Sequence, residues 1–333
     1  MDENLPVIRI SVRNLVEFIL REGDIDNRTG GGQDPENMQM GSRIHRKIQR
    51  QMGSDYQAEV PLKTEIVCDG FTLKIEGRAD GLIHTKEQVM VDEIKGVLRE
   101  LDRVQEPAGI HLAQAKCYAS MVAEQEGLDE IGVQMTYCQM ETEKVKRFQY
   151  SYQSNELKVW FDEVIRQYKK WAKFQIEWRK ARNASIKGIE FPFPYRKGQR
   201  ELAVSVYRTI LRKKKLFIQA PTGVGKTIST VFPAVKAVGE ELGEKIFYLT
   251  AKTITRTVAE QAFETLREQN LKFKVITLTA KEKICFCEET SCNPDDCPYA
   301  KGHFDRVNDA VYELLMQEDV MSREVLEAQA RKH

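Results

Sequence analysis

Three groups of residues in this 333-residue chain have types and spacings that could do chemistry. In GRADGLIHTKEQVMVDEIKG, residues 77–96, Asp80 closes one alternating segment, and Glu93 and Lys95 stand two apart on the next. Alternate residues of a strand share a face, so Glu93 and Lys95 point the same way. Two carboxylates and a lysine at a sheet edge can hold Mg²⁺ or Mn²⁺, activate water and stabilise the charge that develops on a phosphodiester. Upstream, His45 in GSRIHRKIQ could join the metal shell from a helix, and downstream Gln114 and Tyr118 in QAKCY lie one helical turn apart on one face. Asp92 offers a further carboxylate on the opposite strand face, and a one-residue slip of register would exchange it with Glu93.

The second group is LFIQAPTGVGKTIST, residues 216–230, which reads as strand, glycine-bearing turn and helix start. Gly223 and Gly225 let the backbone curl so that its N–H groups face inward, while the helix N-terminus adds positive potential. Lys226 can then reach the β- and γ-phosphates of ATP and Thr227 can hold Mg²⁺, with Ala220 and Thr222 completing the loop. The third group is ICFCEETSCNPDDC, residues 284–297, with Cys285, Cys287, Cys292 and Cys297 spaced C-x-C-x₄-C-x₄-C, four of the seven cysteines in the chain. Thiolates suit both zinc and iron–sulfur sites, so the count does not choose between them.

These groups need elements to place them. A short helix is expected near residues 11–21, a glycine-rich loop at Thr29–Gly32, and a helix from Ser42, whose hydroxyl would cap it. Thr64–Cys68 and Phe71–Glu76 flank Asp69-Gly70, a two-residue hairpin turn, and a third strand runs over Gln88–Lys95. A helix over Pro107–Gln125 and a strand pair, Ile131–Gln139 and Lys144–Tyr152, complete a mixed α/β domain of residues 1–152. Residues 153–190 carry aromatic side chains at near-helical spacing, among them Trp160, Phe161, Tyr168 and Trp171. The stripe invites a base-stacking role, but a connecting helix packed onto its neighbours accounts for it more simply. From residue 191 to 280, Leu216–Gln219, Ile246–Thr250 and Val275–Leu278 read as buried parallel strands alternating with helices, a doubly wound α/β domain. Residues 281–333 hold the cysteines and a helical segment.

Composition sets bounds. With 51 basic and 50 acidic residues the net charge of +1 gives no global attraction to nucleic acid, so any basic groove must be local. No leader or membrane-spanning run is evident, and a cytoplasmic protein with reduced thiols is expected. Cys68, Cys117 and Cys138 read as small buried hydrophobes.

The order P-loop strand, YLT strand, TLTAKEKIC and CPYAKGHFDR resembles the DinG/XPD (Rad3-type) DNA helicases of superfamily 2. That resemblance implies a RecA-like ATP-binding domain, 5′-to-3′ movement on single-stranded DNA, a role in DNA repair and a 4Fe–4S cluster. It also implies that Gln199 and Arg196 lie in the segment that reads adenine, and that Lys252, Thr253 and Thr255 grip backbone phosphates. Cys285, Cys292 and Cys297 are then the strongest cluster ligands, and Cys287 is either the fourth or a bystander to one beyond residue 333. The acidic box that completes ATP hydrolysis and the second motor domain are not found, so a truncated motor is expected. His45, Asp80, Glu93-x-Lys95 and Gln114-x₃-Tyr118 together resemble the RecB-like branch of PD-(D/E)xK nucleases. This implies metal binding by His45, Asp80 and Glu93, assistance by Lys95, and DNA positioning by Gln114 and Tyr118, with endo- or exonuclease action left open. The rival expectation is a non-catalytic nucleic-acid clamp, switched by ATP and stapled by zinc.

Overall fold

The Asp69-Gly70 turn forms as expected, Gly70 taking φ +83°, and it joins the two longest strands of the protein. The structure, a computed structural model, describes residues 5–28, 35–221, 223–250 and 253–333, the side chains of 35–38 and 253–255 apart. In chain order the elements are β1 (Val7–Ser11), α1 (Val12–Ile19), α2 (Pro35–Gln51), β2 (Tyr56–Cys68), β3 (Phe71–His84), β4 (Val89–Val97), α3 (Gly109–Glu126), β5 (Glu130–Gln139), β6 (Val145–Gln153) and α4 (Ser154–Gly188). There follow α5 (Gln199–Leu211), α6 (Lys226–Gly239), α7 (Thr253–Arg267), β7 (Val275–Ile276), α8 (Lys281–Ile284), α9 (His303–Gln317), β8 (Val320–Met321) and α10 (Arg323–Lys332). They divide into two units, residues 1–173 with 285–311 and residues 174–284 with 312–333.

The first unit is a six-stranded mixed sheet in the order β1-β3-β4-β5-β6, with β2 on the other edge of β3. β3 is long enough to serve two partners in tandem on one edge: β1 runs parallel to residues 72–76, and β4 runs antiparallel to residues 81–84. Gly77–Asp80 fall in the gap between them. β4 and β5 are parallel, and β5 and β6 antiparallel. Of β5, every residue but Glu130 is buried, as a strand covered on both faces requires. α3 covers the sheet with a run of small residues, Ala113, Ala115, Cys117 and Ala119, all buried. On the other side, Ile44 and Ile48 of α2 pack on Ile94, Cys138 and Met140. α2 begins at Pro35, a full two turns before the expected start, so Ser42 lies inside the helix and does not cap it. The Thr29–Gly32 loop lies outside the described residues.

The second unit is built on α6 and α7. Ile228, Val231, Val235 and Val238 meet Ala262, Phe263 and Leu266, with Ile186 of α4 and Ile189 just after it closing the core. Residues 153–190 are therefore no mere linker: the helix buries Phe161, Val164 and Ile165 in the first unit and Ile186 in the second. Among the described residues of this unit the ladder formed is one parallel pair, Val275–Ile276 with Val320–Met321. Among the described residues Leu216–Gln219 and Ile246–Thr250 take part in no ladder, and Phe217 is 92% and Leu249 89% exposed. An apolar run identifies a strand fit for burial on both faces, but only paired neighbours make it one. Of residues 281–333, residues 285–311 group with the first unit and residues 312–333 with the second. Among the described residues no helix is long and apolar enough to cross a membrane.

Candidate functional site

The gap in the edge of β3 is where the first group of residues meets. Asp80 lies just outside the β3–β4 register, which begins at Gly81 opposite Asp92. The Asp80 carboxylate Oδ2 accepts the Ile94 N–H at 2.8 Å, just where β4 parts from β3. Oδ1 accepts from His45 Nδ1 of α2 at 3.2 Å. Glu93 stands beside them on β4, 1% exposed, with Oε1 accepting from Lys95 Nζ at 2.8 Å. Lys95 also donates to Gln114 Oε1 of α3 at 3.2 Å, and Gln114 in turn hydrogen-bonds Tyr118. The structure thus brings His45, Asp80, Glu93, Lys95, Gln114 and Tyr118 into one continuous set from four elements.

Two glycines permit this closeness. A Cβ on Gly77 would stand 2.7 Å from the Tyr118 hydroxyl, and one on Gly81 only 1.9 Å from that of Tyr56. The register question also resolves: Glu93 faces the site, while Asp92 is wholly buried on the opposite face, accepting from Thr136, Gln134 and Tyr56.

The electrostatics follow from burial. Removal from water pushes the Glu93 carboxyl up to about 7, Lys95 opposing and the Asp80 charge reinforcing the shift. Burial alone would lower the His45 imidazole, but the hydrogen bond and charge of Asp80 outweigh it and hold the ring above its ordinary value. Burial, then the Glu93 charge, lifts the Tyr118 phenol to about 12, so it stays protonated. Glu93 Oε2 is buried without a hydrogen-bond partner among the described residues. An orphaned carboxylate oxygen beside a second carboxylate and an imidazole suits a divalent cation. Among the described residues, however, no three such side chains close as a ready-made metal cage; Asp80 and Glu93 oxygens are turned to His45, Ile94 and Lys95.

Sequence reasoning missed two supporting residues. Gln49 Nε2 donates to the Asp80 carbonyl and to Glu59 Oε1, both at 2.9 Å. The Tyr56 hydroxyl donates to Asp92 Oδ2 at 3.1 Å and lies 3.3 Å from the Asp80 carbonyl. Gln49 was within reach of sequence, one helical turn beyond His45. Tyr56 carried no signal.

The phosphate-binding loop takes up the turn its glycines allow: φ is +81° at Gly223 and +72° at Gly225, immediately before α6. Lys226 Nζ donates to the Ala220 and Pro221 carbonyls at 2.9 and 2.7 Å, folding back over the loop. Thr227 opens the helix, half-buried, and Thr222 lies outside the described residues. Gln199, expected to read a base, fastens the loop: its Nε2 donates to the Val224 carbonyl and its Oε1 accepts from Arg196 N, both at 2.8 Å. Arg196 Nη1 adds a bond to the Gly223 carbonyl at 2.8 Å. Lys252 lies outside the described residues, as do the side chains of Thr253 and Thr255.

Of the four clustered cysteines, Cys287 and Cys297 have Sγ atoms 3.8 Å apart, and Cys285 also hydrogen-bonds Cys287. Cys287, the doubtful member by sequence, is thus central to the group. Hydrogen bonding to Cys297 holds its thiol up at about 11. The backbone carbonyl of Cys292 accepts from Asn27 N at 2.8 Å. Cys117 and Cys138 are buried as expected, but Cys68 is only half-buried.

Comparison with known proteins bears on the second unit. Residues 200–287 match the family described as DEAD/DEAH box helicase. Over 121 residues the chain is 31% identical to the probable ATP-dependent helicase MJ0942 of Methanocaldococcus jannaschii, a match covering 36% of this chain. The chain spans 18% of the length of that relative. A solved structure titled crystal structure of SSO0001 aligns at 18% identity and a TM-score of 0.32, covering 50% of this chain and 77% of the other. Residues 200–287 thus resemble the helicase-type, nucleotide-binding segments of that family.

Proposed function

We propose that this chain belongs to a DNA-processing enzyme in which a metal-dependent nuclease unit precedes the ATP-binding part of a DinG/XPD-like helicase motor. The observation that carries the nuclease reading is the convergence of six side chains on the gap in β3, with Glu93 Oε2 left without a partner. Asp80, Glu93 and His45 would hold Mg²⁺ or Mn²⁺, which supplies a water of lowered pKa and a counter-charge for the phosphate. Lys95, fixed between Glu93 and Gln114, directs its ammonium at the charge that builds on the phosphate oxygens as water adds and the P–O bond breaks. Gln114 and Tyr118, the latter a donor at every physiological pH, orient the DNA strand.

In the second unit Gly223, Gly225, Lys226 and Thr227 would receive ATP and its Mg²⁺, with Ala220 and Thr222 completing the loop. Nucleotide binding must first draw Lys226 away from the Ala220 and Pro221 carbonyls. The 5′-to-3′ direction, single-strand preference and repair role belong to this reading as consequences of the resemblance. So does the 4Fe–4S cluster, whose ligands would be Cys285, Cys292 and Cys297 with Cys287 as the fourth; among the described residues no three of these thiols close into a ready-made metal site, Cys287 and Cys297 standing 3.8 Å apart at Sγ.

The test is Mn²⁺-dependent cleavage of single-stranded DNA. Asp80→Asn keeps an acceptor for the Ile94 N–H and removes the charge, so it should fold and lose cleavage by more than a hundredfold, as should Lys95→Ala. Lys226→Ala should cleave normally. Full cleavage by Asp80→Asn would refute the nuclease assignment and favour a DNA clamp.

A further inference from the structure

A cleft of about 1360 Å³ opens in the first unit between α1, the start of α3, α4 and α9. Its walls repeat one arrangement three times, a cation over an aromatic ring. The Arg21 guanidinium lies 3.7 Å from the centroid of Phe304, Lys116 Nζ 4.1 Å from that of Trp160, and Lys170 Nζ 5.8 Å from that of Trp171. The aromatic stripe of α4 therefore divides. Phe161, Val164, Ile165 and Tyr168 are buried, whereas Trp160 and Trp171 turn to the cleft and remain partly exposed.

The cleft is not uniformly basic. Glu17 is matched by Arg13 at 2.7 Å, Asp309 by Lys170 at 3.2 Å, and Asp305 Oδ1 accepts the Gly23 N–H at 2.7 Å. Those carboxylates are engaged, and Glu22 is exposed at the rim. Arg21 and Lys116 have no carboxylate within ion-pair distance among the described residues and are held only by rings. A cation fixed on a ring keeps its N–H donors for a second acceptor, and the rings offer stacking surface.

We propose that this cleft binds single-stranded nucleic acid, phosphates on Arg21 and Lys116 and unpaired bases against Trp160 and Trp171. Neither the phosphate loop nor the carboxylate row contains these residues. On α3, Lys116 lies two residues from both Gln114 and Tyr118, hence on nearly the opposite face. A strand in the cleft would reach the row around the first turn of α3, where His111 lines the wall. Only that delivery rests on the nuclease reading; the binding does not.

The test uses the full chain, a fluorescein-labelled oligothymidine, excess EDTA and no nucleotide, read by fluorescence anisotropy and by quenching of the tryptophans. Lys116→Glu and Trp160→Ala should each weaken binding by at least tenfold. Arg21→Glu, on an exposed side chain, should do the same if either of the first two fails to fold. Asp80→Asn should bind like the unaltered protein in EDTA and, assayed separately with Mn²⁺, fail to cleave. Unchanged binding by the folded cleft variants, equal affinity for a blunt duplex, or no tryptophan quenching would overturn the proposal. Intact cleavage by Asp80→Asn would instead strike only the nuclease reading.

Discussion

Replacing Gly81 by Ala should be among the most damaging single changes in the first unit, although alanine suits a strand better than glycine. In isolation the substitution gains about 0.5–1 kcal/mol by reducing backbone entropy in the unfolded chain. Here the new Cβ would lie 1.9 Å from the hydroxyl oxygen and 2.0 Å from Cζ of Tyr56. Two atoms cannot share that space, so the ring must leave. Its departure strips Asp92, wholly buried, of the donor on Oδ2, and loosens the contact with the Asp80 carbonyl. An unsatisfied buried acceptor costs about 1–3 kcal/mol, and lost packing of the half-buried ring adds about 1–2 kcal/mol. Against the small backbone gain, a net loss of roughly 1–4.5 kcal/mol follows.

The reasoning is tested by making the same change after the obstacle has gone. In a Tyr56→Ala background, Gly81→Ala should cost nothing or stabilise by about 0.5 kcal/mol, reversing the sign. Urea unfolding of all four proteins, followed by far-ultraviolet circular dichroism, gives the coupling directly. Equal cost in both backgrounds would show that the glycine serves some end other than room for Tyr56. Gly70, where a Cβ meets nothing within 4 Å but φ is +83°, is the comparison for a purely conformational penalty.

Two further outcomes can be measured. Burial raises Glu93 from 4.5 to about 7, so the folded protein holds this proton more tightly than the unfolded chain; stability present below pH 4.5 is lost as pH rises through 7, by up to about 3 kcal/mol. Glu93→Gln should remove that part of the slope in urea unfolding between pH 5 and 8, and an unaltered slope would contradict the burial argument. In the second unit, Lys226→Ala should abolish binding of a fluorescent ATP analogue and Gln199→Ala weaken it by about three- to tenfold, without changing preference for ATP over GTP. Loss of that preference would mean that Gln199 reads the base in addition to fastening the loop.

Much of the first unit was legible because its signals are local. The Asp69-Gly70 turn fixes the β2–β3 hairpin, and period-two alternation fixes which residues of β4 share a face, hence Glu93 with Lys95. Gln114 and Tyr118 declare a helix face by their spacing alone. What escaped is long-range. Tyr56 matters through its bonds to Asp92 and Asp80, 36 and 24 residues away, and nothing in its own neighbourhood shows it. The docking of the cysteine segment on residues 23–28 was equally hidden, since it is made by backbone bonds such as Ile25 N to Ala300 O and Phe304 N to Gly23 O. The opposite error arose at Leu216–Gln219 and Ile246–Thr250, where composition suggests burial but cannot name a partner strand.

One feature of chain path accounts for the placement of the candidate cleavage residues. Had β3 been paired with a single neighbour along its whole edge, Asp80 would be an ordinary ladder residue and its carboxylate would compete with no backbone bond. Because the pairing of β1 with β3 ends at Glu76 and that of β4 with β3 begins at Gly81, the edge at Asp80 is open, and the departing β4 leaves the Ile94 N–H to be met by a side chain. That bond aims the Asp80 carboxylate across the gap toward Glu93, while α2 brings His45 over the same opening with Gln49 one turn beyond. The buried charge this creates is tolerable only with partners, and Lys95 supplies one to Glu93 without satisfying Oε2. A fold seeking stability alone would close that gap with a continuous ladder or cover it with apolar side chains. Keeping it open, acidic and incompletely satisfied makes sense where a cation and a phosphate are to enter.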